Sequence, residues 1–349
     1  MSQNHDLGDF GLETYTSLFE DAYKKNLAGR KPDTLYEPIL DLLGRGGKRL
    51  RPALCLLACE LVGGETERGL PTAICIEFFH NFSLVHDDIE DGSELRRGEL
   101  ALHLKYGLPV ALNAGDGLYA LCYEALKPNK ELLGVERAWR IFEAVAGLCV
   151  VLAEGQAADL EFKQKMEKGE VEVSEAEVLE VLRKKTARLF AVSAECGAVA
   201  GGASYATAAE LGSAWDDIGI AFQIRDDILN LVGEEAKYGK RIAEDISEGK
   251  PSLLLVNCLK QCEARERAKI YACFQNYDKT KIKEVVALFR KYGSIDYSEA
   301  VAGRYLQSGI NKIRKMNIKI KNKDKKGVKE KGVKEKMVAL AEYFVRREK

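Results

Sequence analysis

Leu84-Val85-His86-Asp87-Asp88-Ile89-Glu90-Asp91 is echoed far downstream by Phe222-Gln223-Ile224-Arg225-Asp226-Asp227-Ile228-Leu229-Asn230. On a helix, positions i and i+4 share a face and i+1 lies only about 100° away. Each stretch therefore points two or three oxygen ligands one way, a turn apart. Carboxylates that close repel one another and raise each other's pKa. Hard divalent cations remove the conflict, and Mg2+ takes one or two carboxylates together with waters and substrate phosphates. Two such clusters on different helices could hold a diphosphate between them. The ordinary alternative is an acidic helix face in solvent. Apolar runs precede both clusters (Phe78, Phe79, Phe82, Leu84 and Val85; Ile218, Ile220, Ala221, Phe222 and Ile224), which places them at the ends of buried helices.

The rest of the chain supports helices. Among 349 residues only seven are proline, and Ala, Leu, Glu and Lys are abundant. Helical periodicity runs over about 8–27, 34–44, 49–63, 69–91, 107–127, 131–165, 174–201 and 204–231, with shorter segments after 252. Gly44–Gly47, Gly63–Gly64, Gly92–Gly98, Pro128, Gly169, Gly201–Gly202 and Gly233–Gly249 mark the breaks. No period-2 run bounded by turn signals reads as a strand. The expectation is an all-α, single-domain bundle of ten or more helices around a deep central cavity.

Nine cysteines with no Cys-x-x-Cys pair, most of them in apolar surroundings, read as reduced, buried thiols of a cytoplasmic protein. No secretory signal is visible at the N-terminus, and no uninterrupted apolar stretch approaches the ~18 residues of a membrane span. A net charge of −1 conceals a basic stretch: Asn311 to Met337 holds about a dozen Lys or Arg against three acids. Its repeated Gly-Val-Lys-Glu-Lys, at 327–331 and 332–336, reads as a solvated linker and not a nucleic-acid patch. The division expected is a catalytic domain over 1–315, a Lys-rich linker over 316–336, and a C-terminal helix over 337–349 packing on the same domain.

Basic groups alternate with the acidic clusters. Gly46-Gly47-Lys48-Arg49-Leu50-Arg51-Pro52 opens an apolar helix, and a glycine turn followed by cations is a plausible anion site. Arg96-Arg97-Gly98 follows the first cluster, where a structural salt bridge to Asp87, Asp91 or Glu94 is the competing reading. His80 sits two turns before Asp87 on nearly the same face. Gln156 and Asp159, then Lys185-Thr186, precede the second cluster, and Lys240, Asp245 and Lys250 follow it. Polyanion above and hydrocarbon below is what a prenyl diphosphate requires.

Taken in order over roughly 40–255, these motifs resemble the trans-isoprenyl diphosphate synthases (polyprenyl synthetases), geranylgeranyl and farnesyl types included. The shared signs are Gly-Gly-Lys-Arg-Leu-Arg-Pro, a His seven residues before Asp-Asp-x-x-Asp, Arg-Arg-Gly, Gly-Gln-x-x-Asp, Lys-Thr and Phe-Gln-Ile-x-Asp-Asp. One position departs, Asn230 standing where the family pattern has Asp; some geranylgeranyl-type members also have Asn there. The resemblance implies that Asp87, Asp91 and Asp226 bind Mg2+, about three ions with Mn2+ able to substitute, and that Asp88 and Asp227 support them. It implies Arg96, Lys185 and Lys240 for the allylic diphosphate (dimethylallyl, geranyl or farnesyl). Lys48, Arg51, His80 and Arg97 would take isopentenyl diphosphate, Thr186 and Gln223 the reacting centre, and Lys250 closure of the site. It further implies head-to-tail prenyl transfer by a homodimer.

Chain length should be set below Asp87. Ser83 lies within about 40° of the Asp87 direction, while Phe82 is about 7.5 Å and Phe79 about 12 Å down the helix. Aromatics at these depths resemble enzymes making C15–C20 products, geranylgeranyl diphosphate foremost. Two other readings stay open. A class I terpene cyclase shares the ionisation chemistry but has no second diphosphate to bind. A non-catalytic subunit of a heteromeric synthase commonly loses one of the aspartate motifs.

Overall fold

The computed structural model describes residues 12–168, 174–232, 246, 249–273, 279–318 and 328–346. Their helices are α1 (Leu12–Leu27), α2 (Asp33–Gly44), α3 (Leu50–Leu61), α4 (Leu70–Glu90), α5 (Leu102–Lys105), α6 (Leu108–Ala125), α7 (Asn129–Leu133), α8 (Val135–Lys168) and α9 (Glu175–Leu182). They continue as α10 (Arg188–Gly201), α11 (Tyr205–Val232), α12 (Leu253–Gln261), α13 (Ala264–Tyr271), α14 (Lys279–Lys291), α15 (Ser294–Lys315) and α16 (Val328–Arg346). The expected all-α class is met. Local chemistry sets several of the starts. Pro71 and Pro109 occupy first-turn positions, where a missing N–H costs nothing. Ser174 caps α9 in a reciprocal box with Glu177, and Ser252 caps α12.

Two compact units are built from interleaved stretches. The first comprises Met1–Gly147, Leu189–Ala214 and Lys312–Leu340. Its core includes Phe19 and Tyr23 of α1, nearly every side chain of α3, Phe78 and Phe79 of α4, and Phe190 of α10. The second comprises Leu148–Arg188, Trp215–Asn311 and Ala341–Lys349. There Ile220, Ile224 and Ile228 form one stripe of α11, buried with Phe162, Met166, Leu254 and Phe289. Burying such side chains contributes ~1.5–3 kcal/mol each relative to exposure. Both acidic clusters continue these buried stripes, α4 in the first unit and α11 in the second.

Four expectations meet differences. A two-stranded hairpin, β1 (Leu95–Arg96) and β2 (Glu99–Leu100), follows the first cluster. Its turn residues Arg97 and Gly98 both have positive φ, the twist a tight hairpin needs; two-residue strands are too short to show a period. The helix expected over 174–201 is divided by a π-helical turn at Arg183–Ala187. Helix α16 begins at Val328, inside the stretch read as linker. The second Gly-Val-Lys-Glu-Lys copy puts Val333 four residues before Met337, and both are buried, while Lys334 Nζ donates to the Met316 carbonyl at 2.6 Å. Finally, Val135–Met166 is long and apolar enough by composition to cross a membrane. Three of its polar groups are engaged within the protein: Arg140 pairs with Glu195, Arg137 donates to the Val199 and Gly202 carbonyls, and Asp159 pairs with Lys185. All nine cysteines are free, and all but Cys149 are buried.

Candidate active site

In the first unit the acidic set divides into two kinds of carboxylate. Asp88 is buried and takes the Arg96 guanidinium: Nε donates to Oδ1 and Oδ2 at 2.9 and 3.0 Å, and Nη2 also reaches Oδ1. The sequence offers Arg96 the carboxylates of Asp87, Asp91 and Glu94 as partners. The hairpin instead brings Arg96 back over the inward-turned Asp88, with Asp87 Oδ2 at 3.9 Å from Nη2. Asp87 and Asp91 are partly exposed and one turn apart. The Asp91 N–H closes the helix on the Asp87 carbonyl at 2.8 Å.

Ten residues before α4's end, His80 meets an unusual concentration of cations. Arg51 Nη1 donates to His80 Nε2 at 3.2 Å, and its guanidinium sits 4.3 Å from the Phe190 ring centre. Because Arg cannot accept a hydrogen bond, His80 offers its Nε2 lone pair and keeps its proton on Nδ1. Burial holds the His80 pKa well below the usual value, reinforced by Arg51, Arg97, Arg96 and Arg49. Burial also lowers Arg97 to about 10, with Arg49, Arg96 and Arg45 adding repulsion. Arg97 lies against Gly47, where a Cβ would meet its guanidinium at 3.2 Å; the φ of +127° at Gly47 is what calls for glycine there. Lys48 belongs to the same loop. A neutral imidazole ringed by guanidinium groups is electrostatically set for an anion.

Between His80 and Asp87 on α4, Ser83 Oγ folds back to donate to the His80 carbonyl at 2.8 Å. Phe82 meets Phe79 edge-on, ring centres 4.8 Å apart, and meets Tyr119 of α6 at 5.0 Å. The ladder continues through Tyr123, Phe142 and Trp139.

In the second unit, Lys185 and Thr186 lie in the π-helical turn, a feature that often accompanies function. Two glycines allow it. A Cβ on Gly155 of α8 would come within 2.7 Å of Lys184 Cβ and 3.0 Å of the backbone, and one on Gly219 of α11 within 2.6 Å of Ala187 Cα. Buried Asp159 holds Lys185 Nζ at 2.8 Å and Lys163 at 3.5 Å. Thr186 Oγ1 donates to Gln223 Oε1 at 2.8 Å, and Gln223 Nε2 donates to Asp227 Oδ1 at 2.9 Å. Asp226 and Asp227 are partly exposed. Asn230 is buried, and its Oδ1 has no hydrogen-bond partner among the described residues. It lines a pocket with Asp227 and Lys250, floored by Ile246, Leu254 and Phe289. Lys240 and Asp245 lie outside the described residues.

Among the described residues no three carboxylate, thiol or imidazole groups converge as a ready-made cage. The donors come as pairs of carboxylates, which suits Mg2+, a cation that completes its shell from waters and phosphate oxygens. The sequence motifs hold Arg49 only as one cation of its loop and Gly155 only as part of Glu-Gly-Gln-Ala-Ala-Asp, and they miss Glu77, Gly219 and Tyr119. The importance of all five comes from contacts between elements.

The Polyprenyl synthetase family model matches residues 32–291. A short chain isoprenyl diphosphate synthase of Methanothermobacter thermautotrophicus is 36% identical over 83% of this chain and 87% of that protein. A geranylgeranyl diphosphate synthase of Sulfolobus acidocaldarius is 35% identical over 86% of this chain and 89% of its own. The crystal structure of geranylgeranyl pyrophosphate synthetase from Pyrococcus horikoshii superposes with a TM-score of 0.85 at 32% identity, covering 97% of this chain and 98% of that one. The aspartate pairs on α4 and α11, the arginine-ringed His80 and the Lys185-Thr186 turn thus sit in a sequence and a helical fold shared along nearly their whole length: the chain belongs to the polyprenyl synthetase family and is a prenyltransferase.

Proposed function

We propose that this prenyltransferase condenses isopentenyl diphosphate with an allylic diphosphate to give geranylgeranyl diphosphate and pyrophosphate. The observation that carries it is the pairing of two chemically different sets: partly exposed aspartate pairs suited to Mg2+, and a separate arginine-rich anion site around His80. A cyclase has no use for the second. A non-catalytic subunit has no need of the Thr186–Gln223–Asp227 chain.

Asp87, Asp91 and Asp226 are the residues that would hold Mg2+, with Asp227 oriented by Gln223. Bound Mg2+ supplies neutralisation of the charge that builds on the departing diphosphate. Lys185, Arg96 and Lys240 donate to the same oxygens, so the allylic C–O bond ionises without a covalent enzyme nucleophile. Lys48, Arg51, His80 and Arg97 hold isopentenyl diphosphate while its double bond attacks the carbocation. The proton lost from the new C5 unit goes to pyrophosphate. Phe82 and Phe79 floor the space for the growing chain, and the geranylgeranyl-synthase relatives support a C20 product over C15.

The active species is a homodimer. Leu108, Leu112 and Tyr119 on α6, and Val135, Trp139 and Phe142 on α8, are exposed apolar side chains at helical spacing. Tyr123 and Phe142 link the two helices by ring contact. A patch of that kind calls for a partner surface. A monomer by light scattering at micromolar concentration overturns the dimer.

The deciding experiment gives purified protein isopentenyl diphosphate with dimethylallyl, geranyl or farnesyl diphosphate in turn, plus Mg2+. Consumption of both substrates, with C20 product, is expected. Consumption of the allylic substrate alone would indicate a cyclase, and no consumption a dependent subunit.

A further inference from the structure

The loop that presents Lys48 and Arg51 contains a third cation, Arg49, which does something different. Arg49 is 3% exposed, and its Nη1 donates to Glu77 Oε1 at 2.8 Å. Its Nη2 donates to the Leu43 carbonyl, Glu20 Oε1 lies 3.8 Å from Nε, and the Phe19 and Tyr23 rings flank the guanidinium. Glu77 is 2% exposed, and Asn81 Nδ2 holds both its carbonyl, at 2.8 Å, and its Oε1, at 3.1 Å. This is an ion pair buried in the first unit. With its charge neutralised and both terminal nitrogens hydrogen-bonded, Arg49 is no candidate for holding a diphosphate.

Its backbone shows what the pair does. Arg49 has φ 45° and ψ 36°, left-handed for a residue with a side chain, and is the N-cap of α3. Such a conformation is held only where the surroundings over-determine it. Turning Arg49 inward leaves Lys48 and Arg51 on either side of a pinned residue. The anchor at the far end, Glu77, lies three residues before His80 on α4, so the two are neighbours on one helix face. Arg51 in turn donates to His80. Loop and helix are thus joined twice, once by a buried salt bridge and once at the ligand-facing contact.

We propose that Arg49 and Glu77 are positioning residues that set the spacing between the Lys48/Arg51 loop and His80, and through it the affinity for isopentenyl diphosphate specifically. The proposal rests on the assignment of that diphosphate to Lys48, Arg51, His80 and Arg97. Asp87 and Asp91 lie beyond the pinned segment, so the allylic substrate and the chemical step stay largely untouched.

The test is steady-state kinetics with each substrate varied, alongside thermal melting. Glu77→Gln, which keeps shape and removes charge, should raise KM for isopentenyl diphosphate about tenfold or more. KM for the allylic substrate and kcat should stay within about threefold. Arg49→Lys, which keeps the charge but not the fork, should lie between wild type and Glu77→Gln, and gives the same readout if Glu77→Gln fails to fold. The paired Arg49→Met, Glu77→Leu variant removes both charges and should recover thermal stability. A KM for isopentenyl diphosphate that stays high after that recovery supports positioning; one that returns with the melting temperature overturns it, as do equal rises in both KM values. Arg51→Ala run in parallel separates the two layers. If it too leaves KM for isopentenyl diphosphate unchanged, the diphosphate assignment fails; if it raises KM while Glu77→Gln does not, only the positioning role fails.

Discussion

Phe82 of α4 and Tyr119 of α6 meet edge-to-face with ring centres 5.0 Å apart, and Phe79 also meets Phe82 edge-on, at 4.8 Å. The floor assigned to the growing chain is therefore braced from a second helix. Phe82→Ala should lengthen the product by one or more C5 units, and Phe79→Ala added to it should lengthen it further. Tyr119→Ala leaves Phe82 in place but removes its brace, so a mixture of C20 and longer products is expected. Chromatography of products from isopentenyl and farnesyl diphosphates reads all three. Unchanged chain length in the Phe82→Ala, Phe79→Ala pair would place the floor elsewhere.

The aspartates should separate by role. Asp87→Ala or Asp226→Ala removes a carboxylate assigned above to Mg2+, and turnover should fall by at least the ~10²–10³ that one lost charge-stabilising donor costs. Asn230→Ala should cost much less, since an amide oxygen offers no charge. Chelation of divalent metal should stop turnover and Mg2+ restore it. Near-normal turnover of Asp226→Ala in Mg2+ would remove the second cluster from the mechanism.

Asp88→Asn tests a different relationship. Its carboxylate is committed to Arg96, so the variant should loosen Arg96 and raise KM for the allylic substrate more than for isopentenyl diphosphate. Arg96→Ala should do the same. His80→Ala should show the opposite preference. Identical effects on both substrates in all three variants would dissolve the division into two anion sites.

Gly219 touches no substrate group, yet a Cβ there would press on Ala187 in the π-helical turn. Gly219→Ala should therefore displace Lys185 and Thr186. Overpacking of this kind costs ~1–3 kcal/mol in stability, and misplacement by about 1 Å can cost ~10²-fold in rate. Melting and kcat measured together check this. A stability loss with kcat intact would mean that the turn's position does not matter to chemistry.

Acid sensitivity should be traceable to His80. Its pKa in the folded protein lies below the ordinary 6.5 because of burial and the surrounding arginines. As pH falls through about 6.5, the unfolded chain binds a proton that the folded chain refuses, so stability drops; above that range the residue contributes no slope. Urea unfolding between pH 8 and 5 should show a shallower acid loss in His80→Asn than in wild type. Parallel curves would show that His80 titrates normally.

Much of the chemistry was legible from spacing alone. Asp87 and Asp91, or Asp226 and Asn230, share a helix face because the peptide repeats every ~3.6 residues, and the apolar stripes before them determined that those faces end buried helices. Helix existence followed from the same local rule, which is why it held along nearly the whole chain. The choice of Asp88 as the partner of Arg96, the inward turn of Arg49 toward Glu77, the brace of Tyr119 on Phe82 and the close approach of Gly155 and Gly219 to the π-helical turn were not legible. Each joins residues on different elements, at distances decided by how helices pack and by backbone angles that a linear pattern does not encode. Repetition along the chain determined which residues could act; tertiary packing decided which carboxylates stay partly exposed and which are spent holding a cation in place.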